Sequence, residues 1–312
     1  MKRAIVFAGQ GAQFVGMGRD LAEAFPECRA LFDTANAVLG YDLARLCFEG
    51  PLEELTRSDH CQPAVFVVSA ACYTALKRRL PDVEIAAMAG LSLGEWTALY
   101  AAGVLSLEDT VRVLAARGRF MQEACEQQPG GMVSILGLSL PELERICAAA
   151  GVEIANLNSP EQTVLSGPRT GVEEAARLAQ AAGAKKTVIL NVAGAFHSRL
   201  MAPAAEKLEA FLAGITFQSA VLPVVANVTG RPHGGPEEIR RRMVQQVTSP
   251  VRWAAGIEWC GQAGIRHYIE CGPGKVLSGL IKRIDREAVS HSIQDVGSLE
   301  KTVAEMRSQA GG

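Results

Sequence analysis

The spacing of apolar residues changes along the chain and distinguishes predicted strands from predicted helices. Short apolar runs predict buried strands at residues 2–8, 84–89, 222–228 and 266–270. Segments with apolar residues at helical spacing predict helices at residues 20–39, 62–80 (with Pro63 in the first turn), 95–102, 106–125, 201–212 and 236–246, and a last helix after Lys275. Strands that alternate with helices indicate an α/β fold with a central, mostly parallel sheet.

The middle of the chain follows a different pattern, which begins at Pro129-Gly130-Gly131. Strands are predicted at residues 132–138, 152–157, 163–166 and 186–192, with helices at 141–150 and 172–182. The resulting order, βαββαβ, is that of the ferredoxin-like unit. We therefore expect a small ferredoxin-like domain at residues 128–193, inserted in a large α/β-hydrolase-like domain formed by residues 1–127 and 194–312.

Composition narrows the class of protein. The 312 residues are 48% hydrophobic and 21% charged with a net charge of -2, so no general attraction to nucleic acid or membrane surfaces is indicated. No apolar stretch is long enough to span a bilayer, and the run at residues 2–8 is too short for a signal peptide. The eight cysteines lack C-x-x-C spacing, so we expect reduced thiols, a cytoplasmic location and no metal site.

Gly90-Leu91-Ser92-Leu93-Gly94 forms a G-x-S-x-G pattern between a predicted strand and a predicted helix. The two glycines permit a tight turn that lifts the Ser92 hydroxyl clear of the sheet, at the positive end of the next helix. The arrangement is typical of a serine nucleophile. A strand-to-helix turn with an incidental serine has the same local pattern.

Arg117 lies inside the apolar face of the helix that begins after Ser106, on the face that also carries Met121. An inward-facing arginine is costly unless an anion meets it. Two anions fit that position: a core carboxylate in a structural salt bridge, or the carboxylate of a ligand held in a bidentate clamp.

Two further stretches follow predicted strands. Gly9-Gln10-Gly11 offers the backbone N–H and side-chain amide of Gln10 at the carboxyl edge of the sheet, although a plain turn is the alternative. A dinucleotide site is rejected because Phe14 stands where the fingerprint needs a third glycine. His197 follows the last strand of the small domain, which makes it the best candidate base among five histidines.

Five stretches together resemble malonyl-CoA:acyl carrier protein transacylases and the related acyltransferase domains of polyketide synthases. They occur in the family's order over nearly the whole chain, and the small domain lies where the family has one. Ala8 and Trp96 depart from residues common in the family, outside the expected chemistry. The stretches are Gly9-Gln10-Gly11-Ala12-Gln13, Gly90-Leu91-Ser92-Leu93-Gly94-Glu95, Arg117-Gly118 with Met121-Gln122, Ala195-Phe196-His197-Ser198, and Glu270-Cys271-Gly272-Pro273-Gly274.

The resemblance implies catalytic roles for individual residues. Ser92 matches the nucleophile and His197 the general base, while Gln10 and Leu93 match the positions whose backbone N–H groups form the oxyanion hole. Gln246 matches a glutamine whose backbone carbonyl orients the histidine, although Gln245 is adjacent.

Substrate binding is implied for three more residues. Arg117 matches the residue that holds the malonyl carboxylate, and Met121 and Phe196 match positions at the substrate. Phe196 beside the histidine is similar to the malonyl-type pattern of polyketide acyltransferases, so an α-methyl group should be poorly accepted.

The implied activity is transfer of a malonyl group from malonyl-CoA to the phosphopantetheine thiol of acyl carrier protein, by a ping-pong route through malonyl-Ser92. The product would be an extender unit for fatty acid or polyketide synthesis. CoA and phosphopantetheine are then parts of substrates, and no cofactor is expected. We expect a monomer that docks an acidic carrier protein, with candidate docking charges at Lys185-Lys186, Arg240-Arg241-Arg242 and Lys282-Arg283.

Two other functions remain open at this point. A hydrolase of the same architecture would release the acyl group to water, and Arg117 would restrict it to acidic acyl groups. A scaffold subunit without activity would need neither Ser92 nor His197.

Overall fold

The structure is a computed structural model that describes residues 1–310, and the side chains of residues 1–308. The strands are β1 (Arg3–Phe7), β2 (Ile85–Gly90), β3 (Gly130–Leu136), β4 (Glu153–Ser159), β5 (Gln162–Pro168), β6 (Lys186–Ile189), β7 (Val225–Ala226), β8 (Arg231–Pro232), β9 (His267–Cys271) and β10 (Val289–Ile293). The helices are α1 (Arg19–Ala24), α2 (Pro26–Leu39), α3 (Leu43–Glu49), α4 (Leu52–Thr56), α5 (Ser58–Arg79), α6 (Leu93–Ala101), α7 (Leu107–Gln127), α8 (Leu140–Ala150), α9 (Arg169–Ala181), α10 (Ala202–Leu212), α11 (Pro236–Gln245), α12 (Trp253–Gln262), α13 (Val276–Ile284) and α14 (Val296–Ala310).

A four-stranded parallel sheet in the order β10-β9-β1-β2 forms the centre of the molecule. Successive residues of β1 face opposite sides, because side chains alternate along a strand. Ile5 and Phe7 enter the larger core, whereas Ala4 and Val6 enter a second core on the other face. Both faces are covered, which confirms the predicted α/β architecture with a parallel sheet.

Residues 130–189 form a second sheet, antiparallel throughout, in the order β4-β5-β3-β6. Helices α8 and α9 pack on it through a separate apolar core that includes Val133, Leu165 and Val172. Two backbone hydrogen bonds link β4 to Val251 in the segment after α11: Val251 N–H donates to Ala155 O at 2.8 Å, and Leu157 N–H donates to Val251 O at 2.9 Å.

Several predicted boundaries are wrong. Helix α5 begins one turn before Pro63, at Ser58, because this first turn is itself partly buried, with Ser58 and Cys61 fully so. The strand expected at residues 222–228 shortens to Val225–Ala226, with one isolated bridge at Val224. The helix after Lys275 is not the last, since β10 and α14 follow it.

The predicted helix start at Ser106 is confirmed. Ser106 Oγ accepts a hydrogen bond of 3.0 Å from Asp109 N–H, satisfying one of the free donors of the first turn of α7. Across the described residues, none of the helices combines the length and apolar character that crossing a membrane requires.

Candidate active site

Ser92 occupies a strained turn between β2 and α6. Its backbone has φ 53° and ψ -106°, a conformation that residues with a side chain rarely adopt. The flanking glycines make this turn possible. A Cβ atom at Gly90 would lie 2.0 Å from Gly94 C, and one at Gly94 would lie 2.3 Å from Phe7 O. The turn therefore packs directly against the end of β1.

His197 contacts both Ser92 and Gln246 through its two ring nitrogens. Its Nε2 lies 2.9 Å from Ser92 Oγ, and its Nδ1 lies 2.9 Å from the backbone oxygen of Gln246. A carbonyl oxygen can only accept, so Nδ1 carries the proton and Nε2 presents its lone pair to the Ser92 hydroxyl. The adjacent Gln245 is not the residue that contacts the histidine.

Burial keeps His197 in its neutral form. The side chain is almost fully enclosed, and this desolvation, followed by the positive charge of Arg117, lowers the pKa of His197 from 6.5 to about 4. At neutral pH the imidazole is thus unprotonated and able to accept a proton.

Arg117 reaches the same point from helix α7. Its Nη2 donates to Ser92 Oγ at 3.1 Å and to Gln246 Oε1 at 3.1 Å, and its Nη1 donates to Gln62 Oε1 at 2.6 Å. The neighbouring Gly118 permits this approach, because a Cβ atom there would lie 2.2 Å from Ser58 O of helix α5.

Arg117 is 1% exposed, and within residues 1–308 its guanidinium forms no ion pair. Its protein partners are two amide oxygens and a hydroxyl, and its Nε has no partner among these residues. Burial lowers the pKa of Arg117 from 12.5 to about 10, while Glu95 acts in the opposite direction, so the group stays charged at neutral pH. The structural salt bridge considered above is absent from this part of the chain, so the charge of Arg117 is met only by neutral groups there.

Gln10 lies in the loop after β1, and Leu93 directly follows Ser92. Leu93 is the first residue of α6, where a backbone N–H has no partner within the helix. Among the described residues neither backbone N–H donates to a protein acceptor. The Gln10 side chain instead donates to Ser58 Oγ at 3.1 Å.

Met121 and Phe196 are both buried near these groups, at 2% and 7% exposure. Met121 Sδ accepts a hydrogen bond of 3.5 Å from Gln62 Nε2, one turn of α7 beyond Arg117. Phe196 packs in the larger core next to His197. Their assignment to substrate binding stays a prediction.

Two openings adjoin these side chains. One, of about 310 Å³, is bounded by His197 together with Ile154, Thr248 and Pro250, and so lies between the second sheet and the segment after α11. The other, of about 160 Å³, is bounded by residues 8–12 and by Leu91.

The sequence patterns did not predict four residues of the site: Gln62, Glu95, Asn227 and His233. Gln62 and Asn227 lie in a predicted helix and a predicted strand. Their side chains are neutral amides, so no buried charge indicates a functional role. Glu95 directly follows the G-x-S-x-G pattern, and a lone acid at the start of an apolar helix is a usable sign of a buried partner. Within the described residues no cluster of three or more metal-binding side chains occurs, and all eight cysteines are unpaired thiols.

Comparison with known proteins places the chain among acyl transferases. Residues 4–309 match the family model described as acyl transferase domain. The malonyl CoA-acyl carrier protein transacylase of Bacillus subtilis (strain 168) is 40% identical over 99% of this chain and 98% of its own length, and that of Escherichia coli (strain K12) is 43% identical over 90% and 92%. A malonyl-transacylase solved in complex with its type II PKS acyl-carrier protein superposes with a TM-score of 0.94 at 39% identity, covering 98% of this chain and 100% of that one. The chain belongs to the acyl transferase family.

Proposed function

We propose that this acyltransferase moves a malonyl group from malonyl-CoA to the phosphopantetheine thiol of acyl carrier protein, supplying extender units for fatty acid or polyketide synthesis. The observation that carries the proposal is the convergence of Ser92, His197 and a buried, unpaired Arg117 within 3.1 Å of one hydroxyl oxygen. The names of the relatives support the same substrate and acceptor.

In the first half-reaction Ser92 Oγ attacks the thioester carbonyl of malonyl-CoA while His197 Nε2 accepts the hydroxyl proton. The backbone N–H groups of Gln10 and Leu93 receive the negative charge on the carbonyl oxygen; removing one such donor in a serine protease costs about 3–4 kcal/mol. The C–S bond then breaks, and His197 returns its proton to the departing thiolate of CoA.

Arg117 selects the acyl group. Its Nη2 already lies next to Ser92 Oγ, so the carboxylate of a malonyl ester on that oxygen can displace weaker neutral partners and pair with the guanidinium. An acetyl group would leave the buried cation without an anion, which costs more than the loss of a methylene contact. Phe196 is proposed to crowd an α-methyl group, so methylmalonyl-CoA should react more slowly.

In the second half-reaction a phosphopantetheine thiol enters, and His197 Nε2 accepts its proton. The thiolate attacks malonyl-Ser92, the ester C–O bond breaks, and Ser92 Oγ recovers the proton from His197. One thioester and one thiol enter, and one thioester and one thiol leave, so charges, protons and bonds balance and no resident cofactor is part of the proposal.

The architecture proposed alongside this function is a large α/β-hydrolase-like domain of residues 1–127 and 194–312 with a ferredoxin-like domain inserted at residues 128–193. The βαββαβ order, the antiparallel sheet order β4-β5-β3-β6 and the separate core support the inserted unit. The strained serine between a parallel strand and a helix supports the hydrolase-like description. A monomeric, cytoplasmic protein remains our expectation.

Intact mass after mixing with malonyl-CoA tests the function, with Ser92→Ala as the matched control. We expect one malonyl adduct on the wild type and none on the variant. Adding carrier protein should discharge the adduct as malonyl-carrier product. Release as free malonate would instead establish a hydrolase, and the absence of any adduct under rapid quench would support an inactive scaffold.

A further inference from the structure

A buried polar network lies beneath the serine turn, and the proposed chemistry does not use it directly. Glu95, in the first turn of α6, is 1% exposed and accepts three hydrogen bonds. Its Oε1 lies 2.7 Å from His233 Nε2, and its Oε2 accepts from Gln246 Nε2 at 2.6 Å and from the backbone N–H of Asn227 at 3.1 Å. The amide nitrogen of Gln246 and the backbone N–H of Asn227 can only donate, so Oε2 is an acceptor, and an ionised Glu95 also accepts from His233 Nε2.

Gln246 connects this network to the reacting groups through both ends of its side chain. Its Nε2 faces Glu95 and the backbone oxygen of Ser92, at 2.6 and 3.0 Å, and its Oε1 faces Arg117 Nη2 at 3.1 Å. The reversed amide would place N–H against the guanidinium and oxygen against the carboxylate. Glu95 therefore dictates which end of the amide Arg117 meets.

We propose that Glu95 is a positioning residue that fixes the amide of Gln246 and, through it, the direction in which Arg117 presents its guanidinium to the acyl group. The inference rests on the proposed function and adds to it a residue that touches no substrate. His233 and the backbone of Asn227 hold Glu95 in place, since each donates to one of its two oxygens.

Asn227 ties the same network to the serine turn. Its Oδ1 accepts from Ser92 N–H at 2.7 Å, and its Nδ2 donates to Gly90 O at 2.7 Å. Asn227 thus holds the serine turn, while Glu95 acts on Arg117 through Gln246. A shift of the Glu95 carboxylate therefore changes the position of Arg117 relative to Ser92.

The proposal assigns the effect to the reach of Glu95 rather than to its charge, and two conservative variants separate these. Glu95→Asp keeps the charge but withdraws the oxygens by one methylene. Glu95→Gln keeps the reach: its oxygen can accept from Gln246 and Asn227, while its NH₂ donates to His233 Nε2 once the histidine proton moves to Nδ1, which has no partner among the described residues.

The experiment measures kcat/KM for malonyl-CoA and for acetyl-CoA on both variants. Glu95→Asp should lose at least about tenfold with malonyl-CoA and markedly less with acetyl-CoA, and Glu95→Gln should stay within about threefold of wild type for both. Thr97→Val is the matched control, because it alters a buried polar residue of the same helix whose hydroxyl has no partner among the described residues. Its kcat/KM values for malonyl-CoA and for acetyl-CoA should both stay at the wild-type level.

If Glu95→Asp lowers kcat/KM equally for malonyl-CoA and acetyl-CoA, the role of Glu95 is only structural. If Glu95→Gln lowers kcat/KM for malonyl-CoA as much as Glu95→Asp does, the effect comes from the charge. Either result overturns the proposal. A double-variant cycle adds a second check: with Gln246→Met in place, Glu95→Asp should change the malonyl-to-acetyl ratio no further. A wild-type protein that forms no malonyl adduct would refute the proposed function instead, whatever the variants do.

Discussion

At the residue scale, backbone strain marks the proposed chemistry. Ser92 and His197 are the non-glycine residues with positive φ in the described chain, at 53° and 58°, and their side chains face each other. Such conformations persist only where the surrounding structure holds them. Here the contacts of Asn227 with the serine turn and of Gln246 with the histidine do so.

Replacing Arg117 should change which thioester reacts. In Arg117→Ala we expect kcat/KM for malonyl-CoA to fall about 10²–10⁴-fold, because breaking a buried charge pair costs about 3–5 kcal/mol. Acetyl-CoA, which has no carboxylate to pair, should lose much less. Arg119→Ala serves as control, since Arg119 lies on the same helix with its side chain 60% exposed. If acetyl-CoA remains disfavoured by the wild-type factor, Arg117 is not the selector.

The pH dependence of acylation should reflect the lowered pKa of His197. The base must be unprotonated, so the rate falls as pH drops through the pKa of His197, at about 4 rather than at the ordinary 6.5. Arg117→Ala removes a repulsive positive charge and should move this fall to higher pH. Rapid-quench rates of malonyl-enzyme formation measure it, and a wild-type midpoint at 6.5 would contradict the buried, neutral histidine.

At the element scale, the close crossing of α5 and α7 places Gln62 against Arg117. The crossing depends on Gly118, where a Cβ atom would approach Ser58 O to 2.2 Å. Periodicity alone predicted both helices and the inward face of α7 that carries Arg117. It could not predict their separation, because that distance depends on which residues of each helix meet.

Gly118→Ala should therefore separate the two helices. Overpacking of this kind costs about 1–3 kcal/mol in the free energy of unfolding, and a displacement of about 1 Å at a reacting group can lower the rate about 100-fold. Urea unfolding and the acylation rate measure the two effects. Gly279→Ala in α13 is the matched control, because no atom lies within 4 Å of the added Cβ and alanine favours a helix. Equal behaviour of the two variants would show that the crossing tolerates a methyl group.

At the scale of the whole molecule, the surface charges suggested for carrier docking differ in availability. Arg240 donates to Ile215 O and Arg242 pairs with Glu238, so both have partners within the chain. Arg241, between them, is exposed. Arg241 is thus the member of the triple best placed to meet an acidic partner.

Transfer to carrier protein should be sensitive to salt if docking is electrostatic. We expect KM for carrier protein to rise with ionic strength, and Arg241→Glu to raise it at low salt while leaving the rate of acylation by malonyl-CoA unchanged. The acylation half-reaction is the internal control, because it needs no carrier. If KM for carrier protein changes neither with salt nor in Arg241→Glu, the carrier does not dock through Arg241.

The sequence by itself determined the α/β class, the order of elements in the second sheet, and three residues of the site. Ser92, Arg117 and His197 could be found because glycine spacing, an arginine on an apolar face and a histidine after a strand are local signals. The later strand β10 and helix α14 carry similar local signals at Val289, Ile293, Leu299 and Val303, and were missed.

Only the tertiary structure decided what these residues meet. The contact of His197 with Gln246 O spans 49 positions, and those of Glu95 with His233 and Gln246 span 138 and 151. Buried hydrogen bonds of this kind depend on the packing of whole elements, and no pattern along one segment specifies the partner. That packing excluded a salt bridge to Arg117 within the described residues, selected Gln246 over Gln245, and placed Glu95 beneath the site.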